Sequence, residues 1–231
     1  NTWGLGTSFQ GYMQTLISNP SQPDTVLWVD SQFVYASKDG GRTWRDTVSQ
    51  RVGDAWKSRG IDNAVPAVIT ASPADENLIY AGYFDMGLWR SDDGGASWRS
   101  LNKPEFSGGW QDAVGGNTLT VVADPTRADV VWAQLAGNLE EEKFLVRSTE
   151  RGEPGSWQKL TEGLPEAIEM LSGLSVLASS PVTNRTLYVV ANHDVYQSTN
   201  DGSSWRKVFD CAGCHLTFAS DDAVYAGGGA G

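Results

Sequence analysis

Apolar and polar positions along the chain fall into short β-type runs rather than helical stripes. Runs such as Val26-Leu27-Trp28-Val29, Leu78-Ile79-Tyr80-Ala81, Val130-Val131-Trp132-Ala133 and Leu187-Tyr188-Val189-Val190 are four or five residues long and rich in β-branched and aromatic side chains. Each is bounded by turn residues, which reads as a strand. Seven or eight residues before each aromatic stands an X-Pro pair: Asn19-Pro20, Ser72-Pro73, Asp124-Pro125 and Ser180-Pro181. Each pair closes an earlier apolar stretch. After each aromatic comes a turn and a third run, FVYAS, GLWRS, FLVRS or DVYQS, and then a polar, glycine-containing box that ends on tryptophan.

The boxes are Ser37–Trp44, Ser91–Trp98, Ser148–Trp157 and Ser198–Trp205, and the third carries two extra residues. Their starts lie 54, 57 and 50 residues apart. Each box closes a hairpin into a fourth run, so the repeating unit is four short strands per roughly 50 residues, the unit of a propeller blade. Turn chemistry accounts for the box residues. Ser37, Asp39, Ser91, Asp93, Ser148, Ser198 and Asn200 can hydrogen-bond the turn backbone. Gly41, Gly95 and Gly202 permit positive φ, and Trp44, Trp98, Trp157 and Trp205 supply apolar wedges between sheets. The boxes are therefore expected to be scaffold.

These boxes resemble the Asp-box (BNR repeat) of sialidases, xyloglucanases, sortilin-type receptors and photosystem assembly factors. The resemblance spans nearly the whole chain. It implies an all-β β-propeller of four-stranded antiparallel blades with Asp-box hairpins, at about 12–50, 66–102, 117–162 and 173–210. Partial blades are expected at 1–10 and 215–231, so that the chain begins and ends mid-blade. It does not by itself imply an activity, because unrelated functions share the scaffold.

Composition narrows the function. A net charge of -11 argues against a nucleic-acid backbone or an anionic membrane as partner, and no apolar run is long enough to insert into a bilayer. Blade topology sends the two-to-three hairpins and the inter-blade connections to one face. That face collects Asp30, Asp85, His193 and Asp194, the acidic stretch Glu140-Glu141-Glu142, and the aromatics Trp56, Phe84, Phe106 and Trp110. Carboxylates beside flat rings suit a polysaccharide, and Asp30 and Asp85 are the candidate catalytic carboxylates of a glycoside hydrolase. The same residues read equally as turn and tip chemistry. No Arg-Ile-Pro of the sialidases occurs. Gly87-Leu88-Trp89-Arg90-Ser91 followed by a box is similar to xyloglucanase blades, although Asp30 falls out of register with that family's first catalytic Asp.

Both cysteines lie in Cys211-Ala212-Gly213-Cys214-His215, an inter-blade connection on the same face. C-x-x-C-H is the attachment signature of haem c, for which Cys211, Cys214 and His215 would be the ligating set. His193 would then be the second axial ligand, with Met13, Met86 and Met170 as weaker choices. A local Cys211–Cys214 disulfide in an oxidising compartment, free thiols and a metal site remain alternatives. The reading adopted is a periplasmic or secreted propeller without a cofactor, binding a protein or glycan partner. A glycoside hydrolase is the first alternative, and a haem c subunit of a redox complex the second.

Overall fold

The computed structural model describes residues 15–29, 34–59, 65–84, 86–102, 116–136, 143–169, 171–177, 179–211, 214–218 and 224–228. It is all-β. Four sheets of four antiparallel strands follow one another along the chain. The first holds β1 (Thr15–Asn19), β2 (Gln22–Val29), β3 (Val34–Ser37) and β4 (Arg45–Asp46). A hairpin of β5 (Ser49–Val52) and β6 (Ala55–Ser58) precedes the second sheet, which holds β7 (Val65–Ala71), β8 (Ile79–Phe84), β9 (Gly87–Ser91) and β10 (Arg99–Ser100). The third comprises β11 (Asn117–Ala123), β12 (Val131–Ala136), β13 (Lys143–Ser148) and β14 (Gln158–Lys159). The fourth comprises β15 (Leu171–Val176), β16 (Leu187–Ala191), β17 (Asp194–Ser198) and β18 (Arg206–Asp210). A two-stranded sheet of β19 (Cys214–Phe218) and β20 (Val224–Gly228) comes last.

Sheets two to four pack face to face, and the period of two along each strand decides which neighbour a side chain meets. In β12, Val131, Ala133 and Leu135 join Leu78, Tyr80 and Leu88 of the second sheet. Trp132, on the other face of β12, joins Leu187 and Val189 of the fourth. A strand buried on both faces needs no polar alternation, which is why Val130 to Ala133 is apolar throughout, and even Gln134 after it is fully buried. The first sheet contrasts with these: Leu16 and Ile17 on β1 are 58% and 54% exposed.

In every box the serine hydroxyl accepts from the N–H of the fifth residue, and the first two boxes close by one full set of hydrogen bonds. Ser37 Oγ donates to Asp39 and accepts from the Gly41 N–H, and Asp39 accepts from the Thr43 N–H and hydroxyl. Ser91, Asp93, Gly95 and Ser97 repeat the arrangement. In the fourth box Asn200 takes the Asp place, and its amide nitrogen donates to Ser204 Oγ, reversing the polarity of that one bond. In the third box Glu150 holds this place, its N–H donates to Ser148 Oγ, and Ser148 Oγ lies 2.6 Å from Ser156 Oγ. The fourth residue of each box donates its N–H to the first turn of its own sheet: Gly40 to Asp24, Gly94 to Asn77, Arg151 to Asp129 and Asp201 to Arg185. All four have positive φ.

Those fourth residues also join neighbouring sheets. The Arg151 carbonyl accepts from Arg90 of the second sheet at 2.6 Å, and the Asp201 carbonyl accepts from Arg147 of the third at 3.3 Å. Arg90 and Arg147 each immediately precede a box serine, where the first sheet has Ala36 and the fourth has Gln197. Between sheets three and four a buried ion network adds to this. Asp124 is fully buried and accepts from Arg185 Nε and Nη2, both at 2.9 Å, and from Arg127 Nε and Nη2 at 2.9 and 2.7 Å. Arg127 also bonds Asp201 at 2.8 Å. Burial pushes the Asp124 carboxyl up, but Arg185, the Thr126 N–H and Arg127 outweigh it and hold the carboxyl well below its ordinary value.

Candidate functional site

Of the residues singled out from sequence, Phe84, His193 and Asp194 lie at strand ends opposite the boxes. Asp30, Asp85, Phe106, Trp110 and Glu140 to Glu142 lie outside the described residues, as do Met13 and Met170, so no separation between Asp30 and Asp85 can be given. Phe84 ends β8, half-buried. Met86 follows closely and accepts from the Trp89 indole through its carbonyl at 2.9 Å. Trp56 is placed differently from an open loop platform. It lies half-buried in β6, and its backbone exchanges two 2.6 Å hydrogen bonds with Trp98, which sets the β5–β6 hairpin along the outer edge of the second sheet.

Asn192 and His193 form the two-residue turn between β16 and β17, both with positive φ (47° and 69°), as a tight hairpin requires. Asp194, the next residue, is bound by Lys207 Nζ at 2.8 Å, and the same ammonium holds Asp210 at 2.6 Å. The hydrogen bonds that Lys207 donates to Asp194 and Asp210 hold its ammonium pKa above the ordinary value. Asp194 is thus an ion-pair partner across the β17–β18 ladder. The His193 carbonyl accepts from the Cys211 N–H at 2.7 Å, so the C-x-x-C-H stretch does meet the His193 turn, through backbone. Cys211 is buried in the connection beside Val190 and Val195. Cys214 and His215 already belong to β19, paired with Gly228 and Gly227. Among the described residues no group of three or more His, Cys, Asp or Glu is arranged to hold a metal ion.

Sequence patterns missed a cleft of about 190 Å³ between the β13–β14 edge and the connection that follows β14. Leu145, Leu160 and Ile168 are buried beneath it, and Phe144 and Leu164 form walls. Lys143, Lys159, Thr161 and Glu166 supply its polar lining. The Lys159 ammonium sits 3.6 Å from the centre of the Phe144 ring, covering one of its faces.

The connection forming one wall is tied down along its length. The Lys143 N–H donates to the Ile168 carbonyl at 3.1 Å, and the Trp205 N–H to the Glu162 carbonyl at 2.8 Å. Gly163 has φ +82° and lies so close to Trp205 that a Cβ there would stand 1.9 Å from the Trp205 carbonyl oxygen. The Asn192 amide completes the clamp, donating to the Ala167 carbonyl at 2.7 Å and accepting from the Glu169 N–H at 2.9 Å. A legible signal for Asn192 did exist: asparagine before His193 and Asp194 in a two-residue turn is the ordinary choice for positive φ. Its reach to the connection depends on tertiary placement.

Four consecutive four-stranded antiparallel sheets, each closed by the same serine-to-tryptophan turn, resemble the blades of Asp-box β-propellers. One solved structure is similar at the level of fold. The chain is similar to an ancestral GH74 enzyme at 20% identity and a TM-score of 0.54, covering 97% of this chain and 28% of the enzyme. It also matches a GH74 xyloglucanase from Xanthomonas campestris at 16% identity and TM-score 0.40, over 88% of this chain and 32% of that one. A third match is YCF48 from Cyanidioschyzon merolae, at 12% identity and TM-score 0.32, over 96% of this chain and 94% of that one. The chain therefore spans about a third or less of the two enzymes. No family model and no curated protein matches.

Proposed function

We propose that the chain is part of an Asp-box β-propeller and acts as a non-catalytic, extracytoplasmic binding or assembly module. The observation that carries this is the cleft beside β13 and β14. Its wall is clamped before any ligand arrives, which lowers the entropic cost of binding, and its lining has one carboxylate, Glu166, where acid-base hydrolysis of a glycosidic bond uses two. Asp194, committed to Lys207, supports the same reading. The partner is a protein or a glycan.

A local Cys211–Cys214 disulfide pinning the connection to the His193 turn fits this role. It is supported by the C-x-x-C spacing and by the Cys211 N–H bond to the His193 carbonyl, which brings the connection to that turn, and it agrees with an oxidising compartment. Alkylation of the denatured, unreduced protein should then label no thiol. A Soret band that disappears in Cys214→Ser would instead establish the haem reading. The module itself is tested by incubation with β-glucans: no reducing sugar should be released. Release that is lost in Asp30→Asn or Asp85→Asn makes the chain a glycoside hydrolase and overturns the proposal.

A further inference from the structure

We propose that the first sheet is a hinged unit that closes on the second, bringing Ile17 of β1 onto Ile69 of β7. The strand registers define the match. Leu27 pairs with Ala36, Tyr80 with Arg90 and Trp132 with Arg147, and each of those partners immediately precedes a box serine. On β1, β7 and β11 the residues opposite Leu27, Tyr80 and Trp132 are Ile17, Thr70 and Val122. These three hold one position, on the face each sheet turns to its successor. By the same count Ile69, paired with Ala81, matches Val121, paired with Ala133, on the face turned to the predecessor. Where the second sheet meets the third, the two positions touch: the Thr70 hydroxyl donates to the Val121 carbonyl at 2.8 Å, and Tyr80 and Val121 are buried. Between the first sheet and the second, Ile17, Leu27 and Ile69 are 54%, 39% and 72% exposed. β11 packs on β7 and β8, and no comparable packing joins β7 to β1 or β2.

The outer edges are tied while the inner edges part. Asp46 of β4 accepts from the Val48 N–H at 2.7 Å, and the Arg59 N–H donates to the Val48 carbonyl at 2.7 Å, which fastens the β5–β6 hairpin to the first sheet. The two hydrogen bonds between Trp56 and Trp98 fasten the same hairpin to the second sheet. β1 and β7 lie at the edges of their sheets farthest from these ties. Rotation about the hairpin therefore closes the seam without breaking either sheet. Burying Ile17, Leu27 and Ile69 favours closure. No directional bond then holds it, since Ala36 stands where Arg90 and Arg147 donate to the fourth carbonyl of the next box. The matching acceptor on the second sheet is the Gly94 carbonyl. With an apolar contact to gain and no donor to lock it, this seam opens and closes beside two seams that arginines keep shut.

The test uses the whole chain carrying Ile17→Cys and Ile69→Cys, oxidised with copper phenanthroline at low protein concentration, with linked peptides from the monomer mapped by mass. A disulfide needs Cα atoms within about 7 Å of each other, so the 17–69 link should form. Leu16→Cys with Ile69→Cys puts the first cysteine on the opposite face of β1, and that link should not form. A second arm supplies the missing donor. Ala36→Arg should slow maleimide labelling of Ile69→Cys by roughly threefold or more, because labelling follows the open population. This arm also decides the matter if the paired cysteines impair folding. No 17–69 link in a protein whose two cysteines both take up maleimide overturns the inference. So does equal linking of the two pairs, or an unchanged labelling rate in Ala36→Arg at a normal urea midpoint. None of these results bears on the cleft or on the binding-module reading.

Discussion

Replacing Asp124 by asparagine tests the network that joins the third and fourth sheets. The carboxylate is fully buried and faces two guanidinium groups, one of them, Arg185, only 1% exposed. Asparagine keeps the shape but removes the anion, and its amide nitrogen points a donor at donors. Breaking one side of a buried, hydrogen-bonded ion pair costs about 3–5 kcal/mol, because the remaining charge stays desolvated. Arg185→Met should fall at the lower end of that range, since Arg127 and the backbone N–H groups of Thr126 and Arg127 still satisfy Asp124. With a urea slope of about 2–3 kcal/mol/M, the Asp124→Asn midpoint should drop by roughly 1–2 M. The double variant should be less destabilised than the sum of the two, because the second change removes the charge that the first strands. Acid gives an independent arm. The native carboxyl titrates well below its ordinary 3.8, so the unfolded chain takes up the proton first. The stabilisation is therefore complete above that ordinary value and is lost as the pH falls towards the native one. Asp124→Asn should flatten this part of the acid limb. A midpoint shift below about 0.3 M, or strict additivity in the double variant, would refute the assignment of the network as a principal tie between these sheets.

Other consequences are quicker to check. Trp205→Ala should cost about 3–5 kcal/mol by urea denaturation, whereas Trp44→Ala, at a site 37% exposed, should cost clearly less, although both occupy the same box position. Gly163→Ala should lower the urea midpoint by more than about 1 kcal/mol equivalent, through both its positive φ and its contact with the Trp205 carbonyl. Asn192→Ala should lower the urea midpoint less than Gly163→Ala, since the amide positions the connection without forming the core.

Much of the local architecture was legible because it is local chemistry. The spacing from X-Pro pair to aromatic to box marks strands and turns, and serine, acid and glycine within eight residues close the same hydrogen bonds in the first and second boxes. Contacts between sheets were not legible in this way. Asp124 reads from sequence as part of an Asp-Pro turn, and its turn bonds to Thr126 and Arg127 are indeed formed. Nothing local signals that Arg185, 61 residues on, reaches the same carboxylate. Asp194 looks like a free acid at a hairpin until the β17–β18 register brings Lys207 across to it. The cleft is invisible for the same reason: Leu145, Leu160 and Ile168 belong to different segments and share no period.

The repeat also explains why its copies differ in how firmly they are joined. A box fixes its own hairpin with its own side chains, so box quality says nothing about the neighbouring sheet. Joining depends on the residue just before the box serine, which projects towards the next box's fourth carbonyl. Arginine at this position can donate there and to nearby acids at once, as Arg90 does with the Arg151 carbonyl, Asp92 and Glu153. Alanine at position 36 has no donor for this, and it stands in the sheet whose β1 leaves Leu16 and Ile17 more than half exposed. The clamped cleft lies on the opposite side of this divide, against a third sheet that Arg90 joins to the second and Arg147 and Asp124 join to the fourth. A preformed binding wall needs a seam that does not open, and sheets two to four are where the chain has placed its cross-sheet arginines.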